Sequence, residues 1–492
     1  MSHDPQSHGS ATPSAPAPAA SSATAHAPAA VPAAAPGSMQ ELFRVAVPLM
    51  ISSGSQALMN SVDRMMLAGC SEQALAAVTP ASLLHWTVVC IPLGTVLYAN
   101  TFIAQFAGAR QPDRLLASFW QAVWLALVAG ILLLACLPFT RTALTAAGHP
   151  PDVTEYEAQY FNTLCAGNTI QLLAAACSCF FSGQQRTGTV MGVSLLAVAV
   201  NFVLDYFLIY GSGPIPAFGI RGAAMATVFA RCCELAIYVC LLSAEARRQA
   251  LPLRRECRID LPLIRRFLKF GVPSGLHYFV DNSGFTAFLM LVGKLSSTAL
   301  AATNLAFSVN GLIFVPLLGF GTAIQTLVGH HVGAGKMHHA RQTVRNAVLL
   351  GGLWTGGTGI LLVLFPSQSL YPFFLFADEQ DTGSGGITAL AAQASLLLQF
   401  VAVYSFFDSL AVVYSSALRG AGDTVYPMLL TLACSWLVMV LPTWAIVHSD
   451  APSLSSLWMA ASANIIFTGL LMWARFAHGR WMRIRLTAED VR

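Results

Sequence analysis

The stretch MNSVDRMMLAG (Met59–Gly69) places one aspartate, Asp63, near the far end of an otherwise apolar segment that begins at about Phe43. A charge at the middle of a bilayer costs about 2.5–3.5 kcal/mol on insertion scales. The fold therefore turns on whether this segment lies in a membrane, and the function on why it keeps Asp63.

Of the 492 residues, 55% are hydrophobic and 10% are charged, against about 25% charged in ordinary globular domains. Mean hydropathy is +0.63. So few charges cannot cover a soluble surface. The apolar residues fall into blocks of roughly 20, the length of helix that crosses a bilayer. Twelve are read, at about 41–68, 82–106, 117–137, 158–182, 189–210, 221–243, 267–293, 300–328, 344–366, 388–416, 427–448 and 454–477. The expectation is an all-α membrane protein.

The 26 basic residues orient those spans. With both termini in the cytoplasm, Arg141, Arg221 and Lys294 fall outside, Arg64 and Arg231 fall within or near spans, and the other 21 fall inside. Such an excess of Lys and Arg marks the cytoplasmic side. The outer loops are acidic instead, with Glu72, Asp152, Glu155, Glu157, Asp378, Glu379, Asp381 and Asp450. The net charge of +4 is thus a topology signal. It does not point to nucleic acid, which would need a basic patch with aromatic residues.

Residues 1–38 are Ala-, Pro- and Ser-rich and carry no Lys or Arg. They lack the n- and h-regions of a signal peptide and read as a disordered tail. His3, His8 and His26 have no metal-ligand spacing. The eleven cysteines contain no CxxC pair, and Cys177/Cys179 and Cys232/Cys233 lie inside spans as packing residues.

The chain repeats itself. AVP (46–48) recurs as GVP (271–273), ALAAV (74–78) as ALAAT (299–303), Gly94 as Gly319, and FIAQFAGA (102–109) as LVGHHVGA (327–334), all at one offset of 225. SGQQRTGTVM (182–191) aligns with RGAGDTVYPM (419–428) at an offset of 237. A six-helix unit is duplicated. Six is even, so both copies enter from the same side and are related by an axis along the membrane normal. The units are a first lobe at 39–243, a basic connector at 244–266, a second lobe at 267–478 and a basic tail at 479–492.

VDRMMLAG followed by ALAAV, then NFVLD and GIRGAAMAT, GVPSGL, VGHHVGAGK and ALRGAGDT stand in the order and spacing of a known family. Over about 40–478 the chain resembles the multidrug and toxic compound extrusion (MATE) family, of the bacterial multidrug efflux type. Arg64 and the GQQRTG turn depart from the usual pattern. The resemblance implies a V-shaped pair of six-helix bundles. It also implies export of mostly cationic, amphipathic drugs in exchange for Na+ or H+ across the inner membrane.

Few acids lie inside spans: Asp63, Asp205, Glu234, Asp281 and Asp408. Intramembrane acids default to function unless paired. Glu234 stands one turn from Arg231 and reads as a structural ion pair. Asp205 lies four residues after Asn201, on one helical face. By resemblance, Asp63, Asn201 and Asp205, with Thr227 as a weaker member, form a first-lobe cation site. Two carboxylates and an amide suit Na+ or a shared proton. Asp281, eight residues after Pro273, and Asp408, four after Tyr404, match the second-lobe cation-site carboxylates of the sodium-coupled branch, with Tyr404 as an added oxygen donor. The offsets map Asp63 onto Phe288, Asp205 onto Pro442, Asp281 onto Gln56 and Asp408 onto Gln171. The acids are therefore not copies of one ancestral pair, and Gln56 and Gln171 become candidate cavity residues.

Other patterns carry less. GHHVGAGKM lacks the glycine placement and Ser/Thr of a phosphate loop. His330/His331 and His338/His339 fix no tetrahedron. GGLWTGGTG (351–359) reads as close helix packing. A lipid-linked oligosaccharide flippase would need cations in its cavity, where only Arg64 and Arg231 are available. An intramembrane enzyme would need a nucleophile and base at one depth, and none is evident. The expectations are a monomeric, ion-coupled carrier in the lipid bilayer, with small-molecule drugs as partners, no cofactor, no resident metal and no catalytic residue.

Overall fold

The computed structural model describes residues 35–146, 151–211, 216–249, 256–374, 383–484 and 486. Most of the expected N-terminal tail lies outside the described residues. Every regular element among the described residues is helical. Twelve long helices follow the chain: α1 (Met39–Ala68), α2 (Glu72–Leu97, continued by Ala99–Gly108), α3 (Pro112–Leu134), α4 (Pro151–Gly183), α5 (Thr187–Tyr210), α6 (Ile220–Gln249), α7 (Leu261–Leu295), α8 (Ser297–Gly333), α9 (Met337–Leu364), α10 (Gly383–Ala421), α11 (Val425–Val447) and α12 (Leu454–Ala477). By length and composition, all but α7 are apolar enough to cross a membrane. His277, Tyr278, Asp281, Asn282 and Ser283 lower the hydropathy of α7, which is nevertheless 35 residues long and packs against α2, α8 and α11.

Caps, rather than the ends of apolar runs, set several boundaries. Ser38 Oγ accepts from Glu41 N at 3.2 Å, and Glu41 Oε2 accepts from Gly37 N at 2.6 Å, a near capping box. Ser71, Asp260, Ser296 and Ser453 cap α2, α7, α8 and α12 in the same way. Helices therefore outrun the apolar blocks, and the connector shrinks to the residues between Gln249 and Leu261. In α11 the turns Cys434–Val440 are π-helical. Pro442, which follows them, has no N–H to continue an ordinary ladder. The basic tail is pinned at its start. Trp481 is buried against Phe476, Leu486 is buried, and Arg266 donates to the Leu486 carbonyl.

Helices α1–α6 and α7–α12 make two bundles, and their cores differ from end to end. One buried cluster draws on both bundles, including Leu42, Leu49, Phe102 and Phe181 from the first and Phe267, Phe320, Leu327 and Leu418 from the second. Toward the opposite end each bundle has a private core. Phe288, Leu398, Tyr404 and Trp458 belong only to the second, and Leu67, Val78, Tyr160 and Ile209 only to the first. The molecule is sealed at one end and divided at the other.

The offset of 225 residues is realised as a pseudo-two-fold contact at the seal. Asn100 Nδ2 donates to Thr326 Oγ1 at 2.8 Å, and Gln325 Nε2 to Thr101 Oγ1 at 2.6 Å, so each pair maps onto the other. Glycines let the backbones meet there. A Cβ on Gly108 would lie 2.0 Å from the His330 oxygen, and one on its repeat mate Gly333 1.9 Å from the Gln105 oxygen. Glu41 of α1 adds a contact to buried His331 of α8 at 3.3 Å.

A Cβ on Gly329 would lie 3.3 Å from Ala104 Cβ, close to disulfide reach. Ala104→Cys with Gly329→Cys should cross-link readily in detergent, as read by peptide mass. Adding Gly108→Val should suppress the cross-link, because overpacking costs about 1–3 kcal/mol where the neighbour is backbone and cannot yield. An unchanged cross-linking rate would contradict this packing.

Candidate functional site

In the first bundle, α5 packs against both α1 and α6. Asn201 and Asp205, one turn apart on α5, therefore meet Asp63 of α1 and Thr227 of α6. With its amide nitrogen turned toward the acids, Asn201 donates to Asp63 Oδ1 at 3.1 Å and to Asp205 Oδ2 at 3.1 Å. Thr227 Oγ1 donates to Asp63 Oδ2 at 3.4 Å. Asp63, Asn201 and Asp205 are all buried. Asp205 Oδ1 has no hydrogen-bond partner among the described residues. A buried acceptor left unpaired costs about 1–3 kcal/mol. This oxygen, with the carboxylates beside it, fits a proton or a hard, oxygen-preferring cation.

Arg231 and Glu234 form the expected pair, at 2.7 Å. Arg231 also donates to Gln56 Oε1, so Gln56 is bound to a guanidinium rather than free in a cavity. Arg231 lies one turn from Thr227 and within electrostatic reach of Asp63. Arg64 is exposed. Gln171 is half-buried on α4, and no described contact brings it to either set of acids. The sequence reading missed Tyr160, buried on α4 within electrostatic reach of Asp63 and Asp205.

The second set is looser. Asp408 lies within electrostatic reach of Asp281 and Tyr404. No hydrogen bond joins the three among the described residues. Tyr404 is buried with its hydroxyl unpaired among the described residues, Asp408 is half-buried, and Asp281 is exposed. Protein nonetheless surrounds Asp281 on a wider radius, which places it on the wall of a cleft. Tyr278 and Ser274, one and two turns toward the seal, line a cavity of about 70 Å³ between the bundles, with Tyr98, Asn100 and Gln325. Arg419 joins this set, within electrostatic reach of Asp281. In the sequence Arg419 stood out only as part of the ALRGAGDT motif.

Two helical bundles around a cleft, sealed at one end and carrying acids inside, define an integral-membrane transporter and not an enzyme. The MatE family model matches residues 48–207 and 273–444, and the chain belongs to the MATE family. It is 27% identical over 463 residues to "Probable multidrug resistance protein NorM" of Thermotoga maritima, covering 93% of this chain and 96% of that one. It is 28% identical over 436 residues to "Multidrug resistance protein NorM" of Burkholderia vietnamiensis, covering 88% and 92%. In fold it is similar to a solved structure described as the outward-facing conformation of a multidrug resistance MATE family transporter of the MOP superfamily. That match has a TM-score of 0.82 at 20% identity and covers 91% of this chain and 97% of that one.

Asp63→Asn and Asp205→Asn should each lower efflux at least about tenfold, since a 1.4 kcal/mol loss already has that effect. Asn201→Ala should follow them, because it removes the donor that both carboxylates share. Efflux rates in vesicles, normalised to inserted protein, decide the matter. Wild-type rates in all three would remove the first-bundle cluster from the mechanism.

Proposed function

We propose that this protein is a secondary active multidrug efflux antiporter. It exports amphipathic, mostly cationic compounds in exchange for Na+ or H+ by alternating access, as a monomer in the inner membrane with both termini in the cytoplasm. The observation that carries the reading is the buried Asp63–Asn201–Asp205 cluster with its open oxygen. The cation-rich surfaces of the sequence sit at the sealed end, with Arg110, Arg114, Lys336 and Arg341. On the positive-inside rule, the divided end then faces outward. The flippase reading is not favoured: Arg231 is engaged by Glu234 and Gln56, and Arg64 is exposed.

The charges suggest how exchange works. A carboxylate can hold either the coupling cation or a cationic drug. A ligand drives a carrier between states only through different affinity for each. The two sets also differ. Asp281 has Arg419 within electrostatic reach and Asp63 has Arg231, but only Asp63 and Asp205 share a bridging amide. The first bundle therefore presents the more tightly organised oxygen cluster.

Uptake of a fluorescent lipophilic cation into everted vesicles, the direction that corresponds to export from cells, should require a sodium gradient or a pH gradient, each applied alone. Sodium or protons should also weaken binding of the cation in detergent, and the cation should weaken theirs by the same factor. Uptake that survives dissipation of both gradients, or binding indifferent to both ions, would overturn the antiport reading. A tag at either terminus should be protected from external protease in intact cells. Cleavage there would reverse the orientation.

A further inference from the structure

Arg419 reaches two parts of the molecule at once. It sits in the last turn of α10 and is 8% exposed. The last four carbonyls of a helix have no partner within it. Here the other bundle supplies donors. Tyr98 Oη donates to the Arg419 carbonyl at 3.0 Å, and Gln105 Nε2 to the Gly420 carbonyl at 2.9 Å. The α10 terminus is thereby part of the seal.

The guanidinium turns the other way, along its own bundle. Nη1 donates to Tyr278 Oη at 3.3 Å and Nη2 to Ser416 Oγ at 3.4 Å, and the group lies 5.5 Å from the centre of the Tyr278 ring. Nε is buried without a partner among the described residues. These contacts are long for N–H···O bonds, and both acceptors are neutral, where a carboxylate would bind about twice as strongly. Asp281, one turn from Tyr278 on α7, is a carboxylate within electrostatic reach that makes no ion pair with Arg419 in this arrangement. The nearby acid Asp423 is already taken by Arg475 at 2.8 Å and does not compete.

We propose that Arg419 is a positioning residue that transmits the charge state of the second acid set to the seal between the bundles. When Asp281 and Asp408 hold no cation, Asp281 draws the guanidinium away from Tyr278. When a cation neutralises them, the guanidinium returns to the arrangement seen here. Either move acts on the same residue whose carbonyl the first bundle grips. The following Gly422, at φ 104°, gives that turn a glycine to absorb the shift. The proposal rests on the reading of Asp281 and Asp408 as cation-binding groups.

The test uses the Ala104→Cys/Gly329→Cys protein and its cross-linking rate in detergent, with Asp281→Asn as a neutralised acid that needs no choice of ion. Asp281→Asn should change the rate at least about fivefold, the lower end of ordinary site–site coupling. With Arg419→Gln the same substitution should change nothing, and Arg419→Lys should restore part of the response. Tyr278→Phe removes one oxygen and should shift the rate in the opposite direction, but only while Asp281 is present. A rate that ignores Asp281→Asn, or a response that persists in Arg419→Gln or, where that variant does not fold, a Tyr278→Phe effect that survives Asp281→Asn, would overturn the proposal. Coupled efflux by Asp281→Asn separates the two levels. If efflux is lost while the cross-link is unmoved, the cation reading stands and the Arg419 link fails. If efflux is unchanged, the cation reading of Asp281 fails.

Discussion

Asn100 and Gln325 stand at equivalent places in the two halves, and each reaches across to a threonine of the other. These paired bonds, with glycine-mediated backbone contacts at Gly108 and Gly333, hold the bundles together at one end. The rest of the architecture depends on that. Because the contact lies at one end only, the helices can diverge toward the other, and acids can line a cleft instead of being crushed into a common core. An interface related by two-fold symmetry is self-complementary, so one ancestral surface was enough to make the seal after duplication.

That seal is polar and close-packed, a combination suited to a contact that must form and break. Hydrogen bonds between side-chain amides, hydroxyls and helix-end carbonyls are individually modest, about 0.5–1.5 kcal/mol net. They are also strongly directional. The apolar share of the interface, around Phe102 and Phe267 stacked at 4.5 Å, supplies non-directional adhesion. In the bilayer, where lipid is as apolar as leucine, close approach of small residues does more for helix association than burial does. The glycines at 94, 108, 275, 319 and 333 provide that approach.

Symmetry stops at the acids. Asp63 and Asp205 share a bridging amide, whereas Asp281 and Asp408 share no described hydrogen bond. The repeat offsets already placed Phe288 and Pro442 where copies of the first pair would be. Phe288 is fully buried in the private core of its bundle. The duplicated scaffold has thus kept its seal symmetric and let its interiors diverge, one toward a tight oxygen cluster and the other toward an open wall.

Much of this was legible in the residues. Block length, the bias of Lys and Arg, and the offset of 225 fix an all-helical, duplicated membrane fold, because the bilayer demands that backbone groups be satisfied within each helix. Helical spacing put Asn201 beside Asp205, and Arg231 beside Glu234. Spacing along one helix says nothing of which helices face each other. Only the tertiary packing decided that Asn201 bridges Asp63 and Asp205, that Gln56 serves Arg231, that Tyr160 stands by the acids and that Gln171 does not join them. It also showed that α7, read as a span over 267–293, runs from Leu261 to Leu295 and packs against α2, α8 and α11. The division between a shared core at one end and private cores at the other is a property of how two bundles lean on each other. That angle is set by contacts between residues more than two hundred positions apart, which no local pattern encodes.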